Sequence, residues 1–96
     1  MGEVLPISGG ITTDTSSQMR GRLGNALRSR PATVTIDLSQ VDYMDTSGLA
    51  TLIEAMRTAR RQDTQLVLRG VQEQPRYLLK VTDLDRMFPI EEEAKS

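Results

Sequence analysis

The sequence predicts one small α/β domain with a mainly parallel mixed sheet and helices packed on it, approximately in the order β-α-β-α-β-α-β. Three observations carry that prediction. Val34, Ile36 and Leu38 alternate with Thr33, Thr35 and Asp37, the period-2 pattern of a strand with one buried face. Directly afterwards the period changes, and Leu49, Leu52, Ile53 and Met56 recur at helical spacing. Apolar runs and helical stretches then alternate along the whole chain, separated by glycine and proline breaks such as Gly9-Gly10, Pro31 and Gly70.

Taken in order, Val4 to Ser8 reads as a short strand, and Pro6, which lacks an N–H donor, assigns it to a sheet edge or strand end. Gly9-Gly10 makes a turn. Thr12, Thr13, Asp14, Thr15 and Ser16 offer N-caps to a first helix that presents Met19, Leu23, Ala26 and Leu27 to the core. Gly21 and Gly24 lie inside this helix, and each costs roughly 0.5–1 kcal/mol relative to alanine, which packing elsewhere must offset. Ser29-Arg30-Pro31 breaks it ahead of the strand from Thr33 to Leu38.

Ser39-Gln40-Val41-Asp42 connects that strand to Tyr43-Met44-Asp45-Thr46-Ser47-Gly48-Leu49, where a strand stops and a helix from Thr46 to Arg61 begins. Leu49, Leu52, Ile53 and Met56 face inward in this reading, with Thr51, Glu54 and Arg57 outward. Arg57, Arg60 and Arg61 complement the dipole at its C-terminal end and read as a solvated cap. The apolar centre of Gln65 to Arg69 suits a strand between neighbours. A third helix starts near Gln74-Pro75 and presents Tyr77, Leu78, Val81 and Leu84 inward. Met87-Phe88-Pro89-Ile90 forms a last short strand, and residues 91–96 read as a flexible acidic tail.

Composition narrows the function. Ninety-six residues suit one core, spanning 1–96 as a single domain. Twelve basic against thirteen acidic residues provide no global field toward nucleic acid, and Tyr43, Tyr77 and Phe88 are too few aromatics for base stacking. Cysteine and histidine are both absent, which removes thiol chemistry, the usual zinc ligands and the usual general base. The expectation is therefore a protein that is not an enzyme and has neither cofactor nor metal. No apolar run approaches the ~18 residues of a membrane span, and the N-terminus shows no signal pattern, so the expected address is cytoplasmic, without direct membrane insertion.

Asp45-Thr46-Ser47-Gly48 then admits two readings. As a helix start, Thr46 or Ser47 accepts a backbone N–H and Asp45 favours the positive end of the dipole. A nucleophile elbow is excluded, because it requires glycines flanking the serine and a histidine base. A phosphate-binding loop is excluded because Gly48 is followed by Leu49-Ala50 and not by Lys-Ser or Lys-Thr. The other reading makes a hydroxyl here the acceptor of a phosphoryl group from a partner kinase. Phosphate would add about −1.5 to −2 charges at a helix N-terminus, beside Asp45, while Gly48 would let a partner's backbone approach.

The stretch VTIDLSQVDYMDTSGL, from Val34 to Leu49, resembles the STAS domain of bacterial anti-sigma-factor antagonists, as does VTDLDRMF from Val81 to Phe88. The resemblance covers the chain from about Gly9 to Ile90. It implies a partner-switching regulator of transcription, in which Thr46, or alternatively Ser47, is phosphorylated by an anti-sigma factor that is also a serine/threonine kinase. It implies that the unphosphorylated form sequesters the anti-sigma factor and releases a sigma factor, and that a phosphatase resets the switch. Thr12, Asp14, Asp45, Thr46, Ser47, Gly48 and Leu49 would line the partner surface. Where the family has a carboxylate ahead of the first helix, this chain has Thr12. Family members commonly begin with an additional strand, so the sheet edge near Val4 is expected to be bare or to pair with another copy. The same fold resemblance also fits the small STAS subunit of a phospholipid-transporting ABC system, in which Thr46 would support docking on an ATPase subunit.

Overall fold

The computed structural model describes residues 2–91. The order is β1 (Gly2–Ser8), α1 (Ser16–Arg28), β2 (Thr33–Gln40), α2 (Thr46–Arg61), β3 (Gln65–Arg69), α3 (Glu73–Val81), a 3₁₀ turn (Leu84–Arg86) and β4 (Ile90–Glu91). The strands lie in sequence order, and each neighbouring pair is parallel. Parallel neighbours joined by right-handed crossovers in one direction place their connecting helices on one face of the sheet. Burial follows that geometry. Val34, Ile36 and Leu38 are fully buried, while Thr33, Thr35, Asp37 and Ser39 on the other face are half-buried.

Register builds the core from this one face. Leu5 lies opposite Ile36, Val34 opposite Leu66, and Ile36 opposite Leu68. Met19, Leu23 and Leu27 of α1, Leu49, Leu52 and Met56 of α2, Leu79 of α3 and Phe88 close over that row. On the opposite face Asp37 lies beside Arg69, and their side chains pair at 3.2 Å. The Ser39 N–H, donating at 3.0 Å, is the main reason the Asp37 carboxyl sits below its ordinary value, with Arg69 contributing less. At the outer edge, the β1 register shifts between Pro6 and Ser8, as suits a proline in an edge strand. No strand pairs with that outer edge among the described residues.

Four expectations change. Thr51 is inside, 1% exposed, because α2 packs against α1 as well as the sheet. Its hydroxyl is satisfied by donating to the Ser47 carbonyl at 3.0 Å. Ile53 is only half-buried. In α3 the inward residues are Pro75 and Leu79, whereas Tyr77 is 64% and Val81 57% exposed. A helix of nine residues contains too few turns for periodicity to fix its phase. The last strand is displaced, since the chain makes a 3₁₀ turn over Leu84–Arg86 and buries Phe88 before pairing only at Ile90 and Glu91. Glu91 therefore belongs to β4 and not to a tail, and the rest of the expected tail, 92–96, lies outside the described residues.

Candidate functional site

Beyond β2 the chain turns at Val41, whose N–H donates to the Leu38 carbonyl at 3.0 Å, and then reaches Met44, where β3 no longer accompanies it. Ile11, in the β1–α1 loop, pairs with it as an isolated parallel bridge. The Ile11 N–H donates to the Tyr43 carbonyl at 2.9 Å, and the Asp45 N–H donates to the Ile11 carbonyl at 3.0 Å. Met44 points its own N–H and C=O the other way, toward Gln74 on α3. The Gln74 Oε1 accepts from the Met44 N–H at 2.8 Å, and its Nε2 donates to the Met44 carbonyl at 3.0 Å.

Asp45 then ends the extended segment (φ −105°, ψ −171°) and caps α2. Its Oδ1 accepts from the N–H of Ser47 at 2.9 Å and of Gly48 at 3.3 Å, satisfying two donors that a helix N-terminus leaves free. The Ser47 hydroxyl donates to the same oxygen. Together these hold the Asp45 carboxyl below the ordinary carboxylate range. The Ser47 hydroxyl contributes most, followed by the N–H groups of Gly48, Ser47 and Thr13, against partial desolvation.

The Thr13 contact brings the β1–α1 loop beside the cap. That loop is shaped by its own hydroxyls. Thr15 Oγ1 accepts from the Thr12 N–H at 2.9 Å and donates to the Gly10 carbonyl at 2.8 Å, and Thr12 Oγ1 accepts from the Asp14 N–H at 3.3 Å. Thr12 is half-buried and Asp14 is exposed.

The two candidate hydroxyls differ. Thr46 is exposed, and its side chain makes no hydrogen bond among the described residues. Ser47 is half-buried, and its hydroxyl is engaged by Asp45. The structure thus brings Thr12, Asp14, Asp45, Thr46 and Ser47 together at one end of the sheet.

Gly48 and Leu49 do not join that surface. Leu49 is 5% exposed and part of the core. Gly48 is buried under Met44 and Ile11 of its own chain, so its missing side chain admits those two residues and not a partner's backbone. Sequence periodicity already placed Leu49 inward, and the partner role drawn from the resemblance conflicts with that placement. Gln74, Ile11 and Thr13 went unseen for another reason: each acts through a backbone group or an amide far away in the chain, which leaves no local pattern.

Among the described residues no cluster of three or more His, Cys, Asp or Glu side chains is placed to hold a metal, and no helix is long and apolar enough to cross a membrane. A cavity of about 250 Å³ lies between α1 and α2, lined by Leu23, Gly24, Leu27, Thr51 and Ala55 among others.

The chain matches the family model for the STAS domain over residues 3–96. It is 34% identical over 55 residues to an anti-sigma-B factor antagonist of Listeria monocytogenes, a match covering 57% of this chain and 48% of that protein. It thus spans about half the length of the curated relative it matches. A crystal structure of an anti-sigma factor antagonist from Mycobacterium paratuberculosis superposes with a TM-score of 0.84 at 24% identity, covering 93% of this chain and 75% of that one. A sulfate transporter family protein from Wolinella succinogenes gives a TM-score of 0.78 at 20% identity, covering 90% and 70%. At these identities the two structures speak for the fold.

Proposed function

The chain belongs to the STAS domain family, and from that premise we propose that it is an anti-sigma-factor antagonist switched by phosphorylation of Thr46. The observation that carries this reading is the contrast at the start of α2, where Thr46 is exposed and uncommitted while Ser47 is tied to Asp45. The name of the Listeria relative supports the antagonist role.

In this reading the unphosphorylated surface formed by Thr12, Asp14, Asp45, Thr46 and Ser47 holds an anti-sigma factor and so frees a sigma factor. The anti-sigma factor is also the serine/threonine kinase, and it brings the nucleotide. Transfer moves the γ-phosphoryl group of ATP to the Thr46 oxygen, with loss of the hydroxyl proton and release of ADP. The product carries about −1.5 to −2 charges. The positive end of α2 tolerates that charge within the fold, but a partner pressed against it would have to bury a dianion next to the Asp45 carboxylate. Binding weakens while the domain stays folded. A phosphatase restores the hydroxyl. The domain acts in the cytoplasm and performs no catalysis itself.

Incubation with radiolabelled ATP and a purified candidate kinase of the anti-sigma-factor type tests the assignment. Label is expected in the wild type and in Ser47→Ala, and none in Thr46→Ala. Label that persists in Thr46→Ala would remove Thr46 from the scheme.

A second reading rests on the occurrence of the fold in a sulfate transporter family protein. As the STAS subunit of a phospholipid-transporting ABC system, the domain would dock on an ATPase subunit through the same end of the sheet, without phosphorylation. Purification from the source organism distinguishes the two, by recovery of an ABC ATPase or of a kinase-like protein.

A further inference from the structure

The carboxamide of Gln74 faces a single backbone unit 30 residues away and satisfies both of its polar groups. In a parallel sheet the N–H and C=O of one residue point to the same neighbouring strand, and those of the next residue to the other. Tyr43 O and Asp45 N accordingly point to Ile11, and Met44 N and O point the opposite way. That side has no strand to meet them, because the paired part of β3 ends at Arg69, opposite Asp37. Met44 is 0% exposed, so water does not readily replace the missing strand. Gln74 supplies both a donor and an acceptor in the place a third strand would occupy.

We propose that Gln74 is a positioning residue for the Thr46 acceptor, fixing through Met44 the point from which the Asp45-Thr46-Ser47 turn leaves the sheet and coupling α3 to that turn. The inference rests on the reading of Thr46 as the acceptor, and the residues of the turn explain how it works. Asp45 follows Met44 directly and carries the cap, and Gly48 rests on the Met44 side chain. Any displacement of Met44 therefore moves both ends of the segment that contains Thr46. Without the amide, the edge of Met44 facing α3 would be held by nothing, and only the Ile11 bridge would remain.

Amide hydrogen exchange followed by NMR on the full chain provides a test that needs no partner. In Gln74→Leu, which keeps the bulk and loses both bonds, protection at Met44, Ser47 and Gly48 is expected to fall by about tenfold or more. Protection at Ile36 and Leu68 in the sheet should change by less than about twofold. Gln74→Glu separates positioning from packing. Ionised, its carboxylate opposes the Met44 carbonyl and protection is lost. Protonated, it again offers one donor and one acceptor, so acidification should return protection to wild-type values at the same pH. The Asp45 carboxyl is held below its ordinary value, mainly by the Ser47 hydroxyl, and the wild type followed over the same pH range separates its titration from that of the new carboxyl in Gln74→Glu.

Wild-type protection in Gln74→Leu would overturn the proposal. So would a loss spread evenly over the sheet, which would reduce Gln74 to a contributor to global stability, or the absence of acid rescue in Gln74→Glu. Failure of Thr46 to accept phosphate would leave these exchange results standing and would fall on the functional reading alone.

Discussion

Gly48 packs directly on Met44: a Cβ built on Gly48 would stand 2.5 Å from Met44 Cγ and 2.8 Å from Ile11 Cγ2. Both neighbours are buried, at 0% and 2% exposure, and cannot swing into solvent. Gly48→Ala should therefore destabilise the domain by about 1–3 kcal/mol through overpacking. The same change at Gly21 should have the opposite sign. Gly21 is exposed, helical and has nothing within 4 Å of its added carbon, so Gly21→Ala should stabilise α1 by about 0.5–1 kcal/mol. Urea unfolding of the two variants beside the wild type checks both directions.

The elements that sequence reads well are those whose pattern repeats. Val34, Ile36 and Leu38 gave β2 its buried face, and the long helix α2 runs from Thr46 to Arg61 as its periodicity implies. Where the pattern is brief or the contact distant, the structure adds what the sequence lacks. Tyr77 and Leu79 could each have led the inward face of a nine-residue helix, and the structure buries Leu79 and leaves Tyr77 exposed. Thr51 shows that polarity misleads when a second helix covers the flank. At the site, the motif gave the location of the cap, but only the geometry distinguishes the free hydroxyl of Thr46 from the engaged one of Ser47.

Leu79 and Tyr77 give a direct check of the α3 phase. Leu79 is 0% exposed, so Leu79→Ala should cost about 2–5 kcal/mol by leaving a cavity. Tyr77, at 64% exposure, should be replaceable by alanine within about 0.5 kcal/mol. Chemical denaturation of both variants would reverse the assignment if Tyr77 proved the costlier loss.

Thr64 ties the α2–β3 turn to the start of β2. It is 5% exposed, donates to the Pro31 carbonyl at 2.7 Å and accepts from Gln62 Nε2 at 3.0 Å. Thr64→Val preserves the shape and leaves those half-buried partners short of one hydrogen bond each. A loss of about 1–3 kcal/mol in unfolding free energy is expected. Thr64→Ser, which retains the hydroxyl, should recover most of it.

Asp45 and Asp37 both have carboxyls held below their ordinary value of 3.8, Asp45 mainly by the Ser47 hydroxyl and Asp37 mainly by the Ser39 N–H. A carboxyl with a lower pKa in the folded state binds fewer protons there than in the unfolded chain. Its stabilisation is thus fully present above the unfolded pKa and lost as the pH falls through the folded one. Stability should decline from about pH 4 downward. Ser47→Ala removes the largest contribution at Asp45, so its titration should move up toward the ordinary value and the acid loss of stability should become shallower. NMR titration of the Asp45 carboxyl and unfolding measurements across that range test the two together.

Thr46→Glu isolates the effect of charge at the proposed acceptor. In the folded domain two terms oppose each other, because a carboxylate in the first turn suits the α2 dipole and is repelled by Asp45 one residue earlier. The side chain at this position is exposed, so the net change in unfolding free energy should stay within about 0.5 kcal/mol. Binding is different. A partner that covers Thr46 must desolvate the new charge beside the carboxylate it already meets, and affinity for the anti-sigma factor should fall by about tenfold or more. Glutamate carries only one charge, so the loss should be smaller than that caused by phosphate. Where repulsion across the interface is responsible, the difference between Thr46→Glu and Thr46→Gln should shrink as salt is raised toward about 1 M, where the screening length falls to about 3 Å. Equal loss in both variants at all salt concentrations would instead assign the effect to the size of the side chain. Calorimetric titration of the two variants and the wild type with one purified anti-sigma factor, at low and high salt, decides between charge and bulk.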